Sequence, residues 1–321
     1  MIYSVRHITT FRYEPAVRES VMEVHLQPRS EGRQRCLSFN LDITPSANIM
    51  LYRDFLGNTV HHFDIAEIHK EVKVAARSVV EVQATPVPAV HDSGSWEELD
   101  AITASEDHME MLLPSVFAWP SELLKEFAGE LQLKRSENPL GILLEIQSAI
   151  RANFSYVPNS TKVDSPIDDA LQARKGVCQD FAHIMIALAR KLQIPSRYVS
   201  GYLYHSETSE DRSPEGASHA WVEALVPGVG WMTFDPTNDI VGGDRHIRVA
   251  IGRDYSDVPP TRGVYKGDSE SDLSVVVTVA TSDMPPPEEM VPSLAVRSQP
   301  IQSQRRGPKS TLDQQQQQQQ Q

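Results

Sequence analysis

The stretch Arg174-Lys175-Gly176-Val177-Cys178-Gln179-Asp180-Phe181-Ala182-His183 runs into Ile184-Met185-Ile186-Ala187-Leu188-Ala189-Arg190-Lys191-Leu192. Phe181, Ile184, Met185, Leu188 and Leu192 recur at three- and four-residue spacing, which predicts a helix with one apolar stripe. Arg190 and Lys191 near its end, and Pro195 just beyond, are C-terminal signals. Gly176 permits a sharp turn into its start. Cys178 is thereby placed at the first helical turn. There, unpaired backbone N–H groups and the positive end of the helix dipole favour a thiolate. The same N–H groups can donate to a developing oxyanion. On this segment alone, a cysteine that merely packs under the helix is an equal alternative.

A thiolate needs a partner that moves protons. Ser218-His219-Ala220-Trp221-Val222-Glu223-Ala224-Leu225-Val226 reads as a strand with His219, Trp221, Glu223 and Leu225 on one face. Pro227-Gly228-Val229-Gly230 supplies turn residues, and Trp231-Met232-Thr233-Phe234-Asp235-Pro236 returns as a second strand. A two-residue turn at Pro227-Gly228 leaves Asp235 one residue out of register with His219. A three-residue loop or a single bulge is expected to bring the pair face to face. Asp235 then holds the imidazole tautomer and stabilises its cation.

Outward from this hairpin the pattern divides the chain. Up to about residue 85, segments such as Val21–Leu26, Leu37–Ile43 and Val72–Ala75 alternate apolar and polar side chains and are separated by turn residues, as in an antiparallel sandwich. Pro86-Val87-Pro88 marks a linker. From Trp96 to Ala152 the period is helical, with Leu140, Leu143, Leu144, Gln147 and Ile150 on one stripe and Pro114, Pro120 and Pro139 cutting the region into short helices. Strands follow from Arg197 to Pro236, and later Leu273–Val279 forms a β-branched run. The expected fold class is α+β: an N-terminal antiparallel β-sandwich-like domain over residues 1–85, then a domain over 86–282 with helices packed on an antiparallel sheet. The tail, residues 283–321, holds six of the 22 prolines and ends in eight glutamines, Gln314 to Gln321. With few apolar residues to offset chain entropy, it is expected to be disordered.

The 321 residues carry 30 basic and 43 acidic side chains, a net charge of −13. Such a charge argues against nucleic acid or an anionic membrane as the main partner. No apolar run approaches the roughly 20 residues of a membrane span, and Met1–His7 reaches charge before a signal peptide could form, so a cytoplasmic location is expected. Two cysteines cannot build a disulfide framework or a structural zinc site. Cys36, beside a strand, reads as a small packing residue. His61-His62 lacks a third ligand at workable spacing, and the acidic loop Glu207–Glu215 lacks the oxygen-ligand pattern of a calcium site. No metal and no cofactor are expected.

At this point the residues match a known family. Gly176-Val177-Cys178-Gln179-Asp180-Phe181-Ala182-His183, Pro195-Ser196-Arg197-Tyr198-Val199-Ser200-Gly201-Tyr202, Ser218-His219-Ala220-Trp221, and Trp231 through Phe234-Asp235-Pro236-Thr237 closely resemble the bacterial transglutaminase-like proteins, within the papain-like transglutaminase superfamily. The likeness extends over most of residues 1–280 and leaves out the glutamine tail. It implies a papain-like transglutaminase core with Cys178 as nucleophile, His219 as general acid and base, and Asp235 as its orienter. It further implies acyl transfer at a carboxamide or peptide bond through a thioester, with a protein or peptide as substrate. Release to water makes an amidase or protease, and release to a primary amine makes a transglutaminase; the triad does not choose. The Cys178 backbone N–H and the Tyr156 side chain are the expected oxyanion donors, with Gln179 and Asp180 as further candidates beside the nucleophile. His183 is expected to pack or hydrogen-bond. Two other readings stay open: an acyl-CoA-dependent N-acyltransferase, whose family shares the order Cys, His, Asp, and a non-catalytic peptide-binding module. The sequence names no oligomeric state.

Overall fold

The computed structural model describes residues 1–84, 86–206 and 208–282; the expectation for the tail lies outside the described residues. Six strands come first: β1 (Ile2–Val17), β2 (Glu19–Val24), β3 (Gln34–Thr44), β4 (Ile49–Arg53), β5 (Thr59–Ile65) and β6 (His69–Val82). Three helices follow, α1 (Trp96–Thr103), α2 (Glu122–Glu130) and α3 (Pro139–Asn153), and then a short strand β7 (Ser155–Tyr156), α4 (Ile167–Ala173), β8 (Lys175–Gly176) and α5 (Cys178–Lys191). The chain continues through β9 (Ser196–Leu203), β10 (His219–Val226), β11 (Gly230–Asp235), β12 (Ile240–Val241), β13 (His246–Gly252), β14 (Thr261–Lys266) and β15 (Glu270–Thr281). The α+β class is as the sequence patterns suggest.

Two four-stranded antiparallel sheets, ordered β15-β1-β6-β3 and β14-β2-β5-β4, make the N-terminal sandwich. Period-two alternation sends Tyr3, Val5, Phe11, Val72, Val74 and Val80 from one sheet, and Met22, Val24 and Phe63 from the other, into one core. Residues 1–85 do not complete these sheets alone. Strand β14 pairs with β2, and β15 pairs along β1 from Tyr3↔Thr281 to Glu14↔Glu270. The Leu273–Val279 run, grouped by sequence with residues 86–282, therefore belongs to the N-terminal sheet. Its alternation buries Leu273, Val275 and Val277, but alternation carries no information about which sheet a strand joins.

The second unit is a five-stranded antiparallel sheet, β12-β11-β10-β9-β13, packed against α5. Helix α5 is more deeply enclosed than its stripe suggests: every residue from Cys178 to Arg190 is buried. Strands β9 and β10 cover one side, and α2, α3 and α4 cover the others, so no face is left for polar side chains. The buried Arg190 resolves its own charge by donating to the carbonyls of Met111, Leu113, Ser196 and Arg253 and to Ser115 Oγ. Ser121 and Asn138 cap α2 and α3 with side-chain oxygens, and Pro139 opens α3 at a position where its missing N–H does no harm.

The sandwich is locked to the second sheet along the outer edge of β13. Gln34 accepts from the Arg248 N–H at 2.8 Å and donates to its carbonyl at 2.8 Å. Asn58 does the same for Ile251, at 2.9 and 2.8 Å. Two side-chain amides thus satisfy an edge that would otherwise need a further strand. No helix among the described residues is long and apolar enough to cross a membrane.

Candidate active site

Cys178 opens α5 and is 1% exposed. The helix start is fixed by Asp180, whose Oδ2 accepts from the Val177 N–H at 2.8 Å and from Thr161 Oγ1 at 2.6 Å. Burial pushes the Asp180 carboxyl up to about 6 despite these bonds. Gly176 serves this corner by lacking a side chain rather than by a left-handed backbone. A Cβ there would stand 2.8 Å from Asp180 Oδ2 and 3.0 Å from the Phe181 ring. Parallel pairing of β7 with β8 sets Tyr156 opposite Gly176, beside the nucleophile helix. Burial, then the charges of Cys178, Asp180 and Asp235, push the Tyr156 phenol up, so its O–H remains a donor.

The hairpin of β10 and β11 closes with the three-residue loop 227–229, pairing Val226 with Gly230. This register sets Val222 opposite Phe234 and, one step on, Trp221 opposite Asp235. His219 and Asp235 are therefore diagonal neighbours on one face rather than a directly facing pair: the loop has the expected three residues but is centred on Gly228 instead of Pro227, which moves the pairing by two residues. The diagonal suffices: His219 Nε2 donates to Asp235 Oδ2 at 2.8 Å. Both residues are almost fully buried. Burial alone would lower the His219 pKa, but the Asp235 charge and hydrogen bond, followed by Cys178, push it up to about 10. Burial would likewise raise Asp235, but the imidazoles of His219 and His246 hold it well below the ordinary carboxylate range. With Nε2 committed to Asp235, Nδ1 is the free nitrogen of His219; it has no hydrogen-bond partner among the described residues. The structure thus brings together Cys178, His219, Asp235 and Tyr156 around the start of α5.

Three neighbours have no site role in the sequence reading, although Trp221 is expected there on the same strand face as His219. Asn238 donates to Asp235 Oδ2 at 2.8 Å; its place in the Asp235-Pro236-Thr237-Asn238 turn was the readable signal. Trp221 lies stacked against the His219 ring, with centroids 6.0 Å apart. His246 donates to the same Asp235 oxygen at 3.2 Å. It arrives from β13, and no spacing rule ties one of 11 histidines to a partner across a sheet. His219, Asp235 and His246 offer ligand atoms within 4.8 Å of one another, the donor set of a zinc site. However, neither Nδ1 has the outer hydrogen-bond partner that orients a metal-bound imidazole. Asp235 is also occupied by five donors, so the donor chemistry fits a shared hydrogen-bond network better.

Gln179 donates its side-chain N–H to the Val163 carbonyl at 2.8 Å and so tethers the preceding loop; its Oε1 has no hydrogen-bond partner among the described residues. His183 lies between the rings of Phe117 and Tyr198 and accepts from the Tyr255 N–H at 3.2 Å. Burial pushes its pKa down to about 4. Cys36 is remote from this cluster: its Sγ donates to the Ser38 carbonyl, and burial pushes its thiol up to about 11. In the acidic loop, Asp211 is engaged by Arg245 and His205. A cavity of about 430 Å³ is bordered by Val116, Phe117, Tyr255, Arg262 and Val163, the residue whose carbonyl Gln179 holds.

Comparison with known proteins shows the family and the fold. The model of the transglutaminase-like superfamily matches residues 126–236, which include Cys178, His219 and Asp235, and that of the bacterial transglutaminase-like N-terminal region matches residues 3–81. An uncharacterised protein of Mycobacterium leprae is 35% identical over 86% of this chain and 97% of its own. An uncharacterised protein of Mycobacterium tuberculosis is 34% identical over 88% and 94%. A protein-glutamine gamma-glutamyltransferase of Pseudomonas aeruginosa is 28% identical, over 36% of this chain and 18% of its own. Among solved structures, a candidate cysteine protease from Cytophaga hutchinsonii has the same fold, with a TM-score of 0.71 and 23% identity over 88% of this chain and 92% of its own.

Proposed function

For a chain that belongs to the transglutaminase-like superfamily and carries its bacterial N-terminal region, we propose a thiol enzyme that cleaves or transfers at carboxamide or peptide bonds. Cys178 is the nucleophile, His219 the general acid and base, and Asp235 its orienter. The thiolate attacks the carbonyl carbon, and the Cys178 backbone N–H and the Tyr156 O–H receive the oxyanion. His219 gives its Nδ1 proton to the departing amine, leaving a thioester. Water or a primary amine then attacks the thioester as His219 removes a proton from it. A cytoplasmic setting, where both thiols stay reduced, suits this chemistry.

The observation that carries the reading is the division of labour on one ring. Nε2 of His219 is bound to Asp235 at 2.8 Å, and Cys178 is the neighbour that adds to the basicity of the remaining side. The test is trapping of an acyl-enzyme from a library of glutamine-containing peptides, with and without a primary amine. Wild type should form a thioester on Cys178, and Cys178→Ala should form none. Ammonia release with amine incorporation identifies transfer, whereas ammonia or peptide release without it identifies hydrolysis. Equal labelling of wild type and Cys178→Ala would overturn the proposal.

A further inference from the structure

The hydrogen bonds on Asp235 outnumber what a simple orienter needs. Oδ1 accepts from the N–H groups of Thr237 at 3.0 Å and Asn238 at 3.3 Å. Oδ2 accepts from His219 Nε2, from Asn238 Nδ2 and from His246 Nε2. An ionised carboxylate only accepts, so both imidazoles carry their protons on Nε2. His246 comes from β13, beyond β9, and meets the carboxylate across the sheet from His219, with 6.2 Å between the two ring centroids. Trp221 packs against both rings, stacked on His219 and edge-on to His246 at 4.9 Å.

A second observation concerns the far side of the His246 ring. Its Nδ1 is buried and has no partner among the described residues. A residue placed there only to fill space would be better apolar, since an unpaired buried nitrogen is a net penalty. The compensating contact is the one N–H aimed at Asp235. His246 also lies beyond residues 126–236, where the superfamily model matches.

We propose that His246 is a positioning residue for the thiol chemistry, an inference that rests on the function proposed above. Its Nε2–H fixes the plane of the Asp235 carboxylate, so that Oδ2 stays aimed at His219 Nε2 and Nδ1 stays turned toward Cys178. Asn238 belongs to the same turn as Asp235 and moves with it. His246 is anchored on another strand and gives the carboxylate an external reference.

The test is the rate of Cys178 alkylation by iodoacetamide in the full chain at pH 7, which needs no substrate, with kcat and KM measured once an amide substrate is in hand. His246→Leu keeps bulk and removes the donor, His246→Asn moves the donor toward the Nδ1 position, and His246→Gln restores an N–H near Nε2. Leu and Asn variants should react about 10–100-fold more slowly, the scale of an outer hydrogen-bond partner. The Gln variant should recover most of the rate, and kcat should fall while KM holds. Wild-type alkylation in a folded Leu or Asn variant would overturn the inference. If the Leu variant does not fold, the Asn and Gln pair decides, and equal rates in those two would also overturn it. Alkylation that His219→Ala leaves unchanged would instead overturn the enzyme reading itself.

Discussion

At the scale of single residues, burial would discharge the His219 ring, and the Asp235 carboxylate reverses that outcome. The linkage has a definite sign. A histidine raised from 6.5 to about 10 contributes stability that is complete below 6.5 and is lost as pH climbs to about 10. The depressed Asp235 contributes above its ordinary 3.8 and loses that contribution as pH falls through its folded value. Asp235→Asn should therefore narrow its Tm deficit against wild type as pH rises from 6.5 to 10; a deficit constant across that window would refute the pairing. The same substitution keeps the shape but lets the ring turn and lose its cation, so kcat should drop on the order of 10²–10⁴-fold. Cys178, His219 and Asp235 were legible in sequence because a helix start and a short hairpin fix their places locally. His246 was not, since only the lateral order of strands in the sheet brings it to Asp235.

Elements place these residues through close approaches. In β9, Gly201 pairs with His219 on one side and Arg248 on the other. A Cβ on Gly201 would stand 2.2 Å from the Ile247 carbonyl oxygen and 2.5 Å from the Trp221 ring. Neither can give way without parting β9 from β13 or moving the indole on which His219 stacks. Gly201→Ala should lose about 1–3 kcal/mol of stability in denaturant unfolding, together with a slower alkylation of Cys178. Gly129, inside α2 with nothing within 4 Å of an added carbon, provides the contrast: Gly129→Ala should gain about 0.5–1 kcal/mol. Destabilisation at Gly129, or none at Gly201, would show that these close approaches do not set the constraint. The helical stripe of α5 was readable from its spacing. Its burial on every side was not, because Gln179, Asp180, His183 and Arg190 are polar and lie inside only through specific partners.

Across the whole molecule, the N-terminal sandwich acts on the second sheet where β13 would otherwise end as an open edge. The strand that Gln34 and Asn58 hold is the strand that carries His246. Sequence patterning revealed both units and missed this joint, along with the return of β14 and β15 to the first unit, because amide side chains and strand order leave no periodic trace. The joint predicts coupling at a distance from the thiol. Replacing Gln34 and Asn58 together by Leu leaves the Arg248 and Ile251 backbone groups without their partners, so their amide hydrogens should exchange faster while those of α5 do not. As β13 loosens, His246 loses its fixed reference, and Cys178 alkylation should slow toward the rate of His246→Leu. Adding His246→Leu to the clamp variant should then change little, because contacts along one chain of support do not add. Independent, multiplicative losses would mean that the sandwich stabilises the sheet without steering the histidine, and would confine the influence of the N-terminal unit to folding.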